Sequence, residues 1–179
     1  MFFLAEAVVV ALIGSWVALF VHELGHAVAA LLVGVRIWGV RLGIGPTLWR
    51  GRIGRCRVQI ALFPFLGAVH LLDEDASAIG YRDIVAGSWR FEWGPDAWRA
   101  PVISAAGGLS NLAMLMVLIV WWDLTGRPAF GTFEGDLLLA TMVSNGAGYL
   151  NLLPCLRSDG IHLLAHIRAA RFRLQPSSA

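Results

Sequence analysis

Val21-His22-Glu23-Leu24-Gly25-His26 lies inside an apolar run that begins at Phe2 and hardly stops until Val35. An acid flanked by two imidazoles is out of place there. At the middle of a membrane helix an acidic side chain costs about 2.5 to 3.5 kcal/mol on insertion scales, so such groups usually mark function. On a helix His22 and His26 are one turn apart on one face, their Cβ atoms roughly 5 to 6 Å from each other, close enough to share an ion. His-Glu-x-x-His is the zinc-site pattern. Neutral imidazoles suit Zn²⁺, and a catalytic site adds a third protein ligand and keeps one position for water. Glu23 is then placed to take that water's proton and pass it to a leaving amine. Either histidine alone would read as a buried ring bonded to a neighbouring helix; the pair with Glu between them does not.

The whole chain supports a membrane setting. Of its 179 residues 58% are hydrophobic and only 15% charged, and the mean hydropathy is +0.69. This composition predicts a single membrane-embedded domain over residues 1–179. The formal charge of +2 is too small to argue for a nucleic-acid partner. Two cysteines, Cys56 and Cys155, make neither a disulfide framework nor a four-cysteine metal site. The N-terminal run lacks a basic leader and leads straight into the histidine motif, so it reads as retained rather than cleaved.

Three spans are expected, at about 3–34, 101–122 and 137–153. The first is longer than a bilayer core of roughly 30 Å, and His22 falls about 24 Å beyond Glu6, which puts the motif off-centre. Between the first two spans, arginines and glycines alternate over 36–57, and Arg57-Val58-Gln59-Ile60-Ala61-Leu62 has strand periodicity, so a small β hairpin or sheet is expected at the cytoplasmic interface. Phe63 to Val69, broken by Pro64 and Gly67, reads as a re-entrant or interfacial segment. The stretch 70–100 combines Asp73, Glu74, Asp75, Asp83, Glu92 and Asp96 with Trp89, Trp93 and Trp98, a solvated loop with interfacial anchors. The second span is free of charge, and its small residues from Ser104 to Asn111 allow another helix to approach closely. The third carries Asn145, Gly146, Gly148 and Asn151, which should face inward. A basic amphipathic helix over about 161–173 completes an all-α polytopic membrane fold. Its pair His162 and His166 is expected to be solvated. Thirteen of the fourteen arginines fall on one side of three such spans, only Arg127 on the other. The N-terminus is then outside and the tail cytoplasmic, with the cell membrane as the expected location.

No carboxylate occurs between Glu23 and Asp73, and His70 lies outside the spans. Asp159 is the best-placed third ligand, because the third span reaches the cytoplasmic leaflet near Asn151, at about the depth of His22.

With these two regions in view, the chain resembles the site-2 protease family of intramembrane zinc metalloproteases. The likeness rests on His22-Glu23-Leu24-Gly25-His26 and on Asn151-Leu152-Leu153-Pro154-Cys155-Leu156-Arg157-Ser158-Asp159-Gly160. Gly43-Ile44-Gly45-Pro46, Phe63 to Val69 and Ala106 to Asn111 agree less specifically. The resemblance implies that His22, His26 and Asp159 bind one Zn²⁺ and that Glu23 is the general base. It also implies that Asn151 holds the substrate strand or the oxyanion, the alternative being a bond to a neighbouring helix backbone. Departures are Gly108 where the family has Pro, a single glycine near Leu66-Gly67, and Ile161 after Asp159-Gly160. The chain reads as a minimal core without a PDZ or other appended domain. The implied activity is hydrolysis of membrane-spanning protein substrates near the cytoplasmic leaflet, with the lipid bilayer as the other partner. A non-proteolytic membrane scaffold is the rival, and the intact Glu23 speaks against it. Oligomeric state is not legible.

Overall fold

The computed structural model describes residues 2–72, 98–154 and 158–173. The acidic, tryptophan-rich stretch 73–97 and Cys155 lie outside the described residues. The elements are helix α1 (Phe2–Leu32), strands β1 (Ile37–Ile53) and β2 (Cys56–Leu71), helix α2 (Arg99–Leu124), helix α3 (Phe133–Tyr149), a 3-10 turn (Leu150–Leu152) and helix α4 (Asp159–Arg173). Among the described residues two helices, α1 and α2, are long and apolar enough to cross a membrane. Their outward faces expose Leu4, Val8, Phe20, Leu31, Val117 and Val120, as a lipid-facing surface requires.

Helix α1 stops for a local reason. Gly34 takes a left-handed backbone (φ 76°), its N–H donates to the Leu31 carbonyl (3.1 Å), and the Val35 N–H donates to the Ala30 carbonyl (2.8 Å). These are the two bonds of a Schellman cap, and its accompanying apolar contact is present too. Ala30 and Val35 are both buried in the cluster that joins α1 to the sheet and α2, with Leu71, Ala100 and Ile103. The cap thus sets the direction in which the chain leaves the helix and enters β1.

The two strands form one antiparallel sheet, turned at Gly54-Arg55 between Ile53 and Cys56. Near the turn, Trp49 pairs with Ile60 and Arg52 with Arg57. Farther back the pairing doubles. Gly39 pairs with both Arg57 and His70, and Leu42 with both Ile60 and Gly67. Both strands must bend for this, and β1 does so at Gly43 (φ 82°) and Gly45 (φ 88°), conformations that favour glycine. The segment Phe63–Val69 is therefore strand, not a separate re-entrant piece: Pro64 and Gly67 sit at the bend and the pairing resumes beyond them. His70 packs on Trp38, ring centroids 5.1 Å apart, away from the paired histidines of α1.

Helix α1 packs against α2, α3 and β2, and α2 packs against α3 and α4. At the α1–α2 crossing a Cβ on Gly25 would collide with Ser110 and the Ala106 carbonyl, so the backbones meet through small residues. Ser110 Oγ then donates to the Val21 carbonyl at 2.9 Å, across the interface and one residue from His22.

Helix α3 begins earlier and ends earlier than the expected span. Thr132 caps it, accepting from the Gly135 N–H, and Glu134 and Asp136 complement the N-terminal dipole. After Tyr149 the chain tightens into the 3-10 turn instead of running on as α-helix to Leu153. The expected solvated pair on α4 is also corrected. His166 is 1% exposed and His162 partly buried, because α4 lies against α2 rather than out at the interface. Burial, with His162 nearby, pushes the His166 imidazole down to about 4. Burial lowers His162 as well, against the pull of Asp159.

Candidate metal centre

Successive turns of α1 present His22 and His26 on the face toward α2 and α3, ring centroids 4.8 Å apart and nearly perpendicular. Glu23 lies beside them, 5% exposed. The His26 Nδ1–H donates to the Ile103 carbonyl at 2.7 Å, which leaves Nε2 as the free ligand atom. Gly107 of α2 provides the room these rings need. A Cβ there would run into Nε2 of both histidines.

Asp159 arrives from the other end of the chain. It opens α4 close against the 3-10 turn: Ser158 Oγ donates to the Leu153 carbonyl (2.6 Å) and a Cβ on Gly160 would strike the Leu152 carbonyl. The glycine of Asp159-Gly160 is thus what lets α4 start so close to the turn. Asp159 Oδ2 lies 2.9 Å from His22 Nε2 and 3.2 Å from His26 Nε2, and these two nitrogens are 3.2 Å apart. Burial alone would raise the Asp159 carboxyl, but the adjoining His22 and His26 rings outweigh it and hold the group well below the usual carboxylate range. The site is therefore built around a carboxylate and two imidazoles converging on one point.

All three side chains offer a ligand atom within 4.8 Å of the others, a spacing that one ion can satisfy. Two nitrogens and one carboxylate oxygen are a donor set that zinc accepts. Glu23 Oε2 is buried with no hydrogen-bond partner among the described residues, which is costly unless a further polar group meets it. Both observations fit a resident metal with an associated water.

The cluster opens into a cavity of about 670 Å³. Its lining includes Glu23, Ser104 and Ser144 from the helices, the strand residues Pro64 to Val69, Asn151 and His162. Asn151 Nδ2 donates to Asp159 Oδ2 (2.8 Å) and stands 3.4 Å from His22 Nε2, so the expected site residues His22, Glu23, His26, Asp159 and Asn151 all meet here. Residues not expected at the site also contribute: the Ile103 carbonyl, Gly107, Gly67 and Asn111, whose carboxamide is 3.2 Å from His22 Nδ1. Asn111 carried a signal of its own, as a polar side chain in an otherwise apolar span.

Comparison with known proteins agrees with this centre. Over 94% of its length the chain is 26% identical to a protein of Chlamydia pneumoniae provisionally named a zinc metalloprotease, covering 31% of that protein. It is 32% identical to protease RseP of Yersinia pestis over 65% of this chain and 25% of the relative. A similarly named protein of a Nostoc species is 30% identical over 58% of this chain and 28% of its own. The chain thus spans less than a third of the length of these relatives. Residues 10–127, well over half of the chain and including the His22 to His26 motif, match the model of peptidase family M50. With that match the chain belongs to peptidase family M50, the site-2 protease family.

Proposed function

We propose that this chain forms the catalytic core of an intramembrane zinc metalloendopeptidase that cleaves membrane-spanning protein substrates near the cytoplasmic leaflet. One observation carries the reading. The Asp159 carboxylate stands within hydrogen-bond reach of His22, 137 positions away in sequence, with the buried, unpartnered Oε2 of Glu23 in the same cavity. Names of the relatives point to zinc, and the donor set suits it.

In this reading α3 is a third span, the N-terminus lies outside, and the tail is in the cytoplasm of a cell whose plasma membrane holds the protein. His22, His26 and Asp159 would hold the ion. Zinc supplies the Lewis acidity that makes water a competent nucleophile at neutral pH. Glu23 accepts a proton from that water and returns it to the amide nitrogen as the C–N bond breaks. Asn151 offers Nδ2 at the same centre, a donor for the developing oxyanion or the substrate strand. A helical substrate keeps its carbonyls in internal hydrogen bonds and must be drawn out to react. Strand β2 from Pro64 to Val69, which lines the cavity, offers backbone against which an extended segment can pair. The hydroxyls of Ser15, Ser104 and Ser144 give water a polar way in through apolar helices.

The test is cleavage of a model membrane-spanning peptide by purified protein containing one zinc per chain. Glu23→Gln should keep the zinc and lose roughly 100-fold or more of the rate. Zinc-loaded wild-type protein that cleaves no candidate substrate would instead favour a scaffold that retains the fold without the reaction.

A further inference from the structure

Asn111 sits in the middle of α2, 1% exposed, with its carboxamide 3.2 Å from Nδ1 of His22. On the other side of the same ring, Nε2 faces Asp159 Oδ2 at 2.9 Å and His26 Nε2 at 3.2 Å. Nε2 is therefore the atom aimed at the centre, and Nδ1 is the atom aimed at Asn111. An imidazole that ligates through Nε2 keeps its proton on Nδ1, and that N–H needs an acceptor. A carboxamide supplies one from its oxygen, whereas its NH₂ group facing an N–H would be two donors in opposition.

The two ends of a carboxamide have nearly the same shape, and which end faces which neighbour is decided by the hydrogen-bond network. With Nδ2 toward His22, the buried Oδ1 has no partner among the described residues. Turning the group through 180° places Oδ1 against the Nδ1–H. One rotation then gives the oxygen a partner and meets the requirement of an Nε2 ligand, with the NH₂ group turned to the side the oxygen had faced. Helix α3 holds the carboxamide in this plane: a Cβ on Gly148 would collide with Asn111 Nδ2 and Cγ, so the glycine lets α3 close directly over the side chain.

We propose that Asn111 is the positioning residue of His22: its Oδ1 accepts the Nδ1–H, fixes the tautomer that leaves Nε2 free for the metal, and holds the ring in the plane of the site. It is the side-chain counterpart of the Ile103 carbonyl, which does the same for His26 from about two turns earlier on α2. A single helix thereby orients both imidazoles of α1, with Gly107 between the two contacts giving the rings space. The inference rests on the reading of His22, His26 and Asp159 as the metal ligands.

Two measurements on the purified full chain test it. Zinc affinity is read by competition with a chelator for wild type, Asn111→Leu and Asn111→Asp. Loss of the acceptor should weaken binding about 10- to 100-fold in the leucine variant, while the aspartate variant, which keeps an acceptor oxygen, should bind at least as tightly as wild type. Zinc binding by Asn111→Leu equal to wild type, or an equal loss in Asn111→Asp, would overturn the proposal. The second measurement needs no variant and stands if leucine prevents folding. In ¹⁵N-histidine spectra of zinc-loaded wild type, His22 should show a protonated, slowly exchanging Nδ1; a rapidly exchanging or deprotonated Nδ1 overturns the assignment. Wild-type protein that takes up no zinc would remove the metal-site reading and this inference with it, an outcome distinct from zinc-loaded protein indifferent to Asn111.

Discussion

Gly67 of β2 lies so close to Glu23 of α1 that a Cβ at position 67 would overlap the carboxylate. The sheet is thus seated directly on the proposed base, and the absence of a side chain there is what allows both to occupy the cavity. Replacing Gly67 with valine should push the carboxylate aside or lift the strand. The expected result is a fall in cleavage rate of at least about 10-fold with zinc content unchanged, checked by steady-state kinetics beside metal analysis.

Gly107 bears on the ligands rather than on the base. Gly107→Ala places a methyl group against Nε2 of both histidines, so zinc affinity itself should drop, by about 10- to 100-fold in chelator competition. The contrast with Gly67 separates two kinds of damage. One variant keeps its metal and loses rate, and the other loses metal first.

Asp159→Asn keeps the shape of the third ligand and removes its charge. The neutral amide is a poor partner for a divalent ion, and zinc affinity should fall by more than about 100-fold. Equilibrium dialysis of wild type and variant would show it.

His166 makes stability pH-dependent in a definite direction. Its folded value of about 4 lies below the unfolded 6.5, so between these values the unfolded chain binds more protons. The buried neutral ring contributes fully above about pH 6.5, and that contribution is lost as the pH falls toward 4. Wild type should lose melting temperature over this window more steeply than His166→Gln. The difference between the two curves isolates residue 166.

Gly34 is a purely conformational prediction. At φ 76° an alanine should cost about 1 kcal/mol, through the α1 cap, without altering the metal centre. Denaturation in mixed micelles should show the loss while zinc content stays the same.

The candidate cluster was legible because charge and imidazole are so out of place in apolar helix. His22, Glu23 and His26 stand out by themselves, whereas Asp159 follows from depth along the third span and from the family resemblance of the stretch Asn151 to Gly160. What sequence hid was decided by contacts between distant parts. Pro64 and Gly67 look like breakers, yet β2 runs through them, because the bent β1 offers a partner on either side of the kink. Pro154 looks like the stop for α3, yet the helix has already tightened at Leu150. His166 looks like a solvated partner of His162, and only the packing of α4 on α2 buries it. Asn111 was visible but unassigned, since its meaning depends on which nitrogen of His22 it meets.

The distance in sequence between His22 and Asp159 has a consequence for how the molecule comes into being. A ribosome releases the two histidines long before the aspartate, so a nascent chain already threaded into the bilayer carries a base and half a coordination sphere but no complete cutting centre. Under the proposed function, hydrolytic competence would wait for α4, the helix that brings Asp159 to the two histidines.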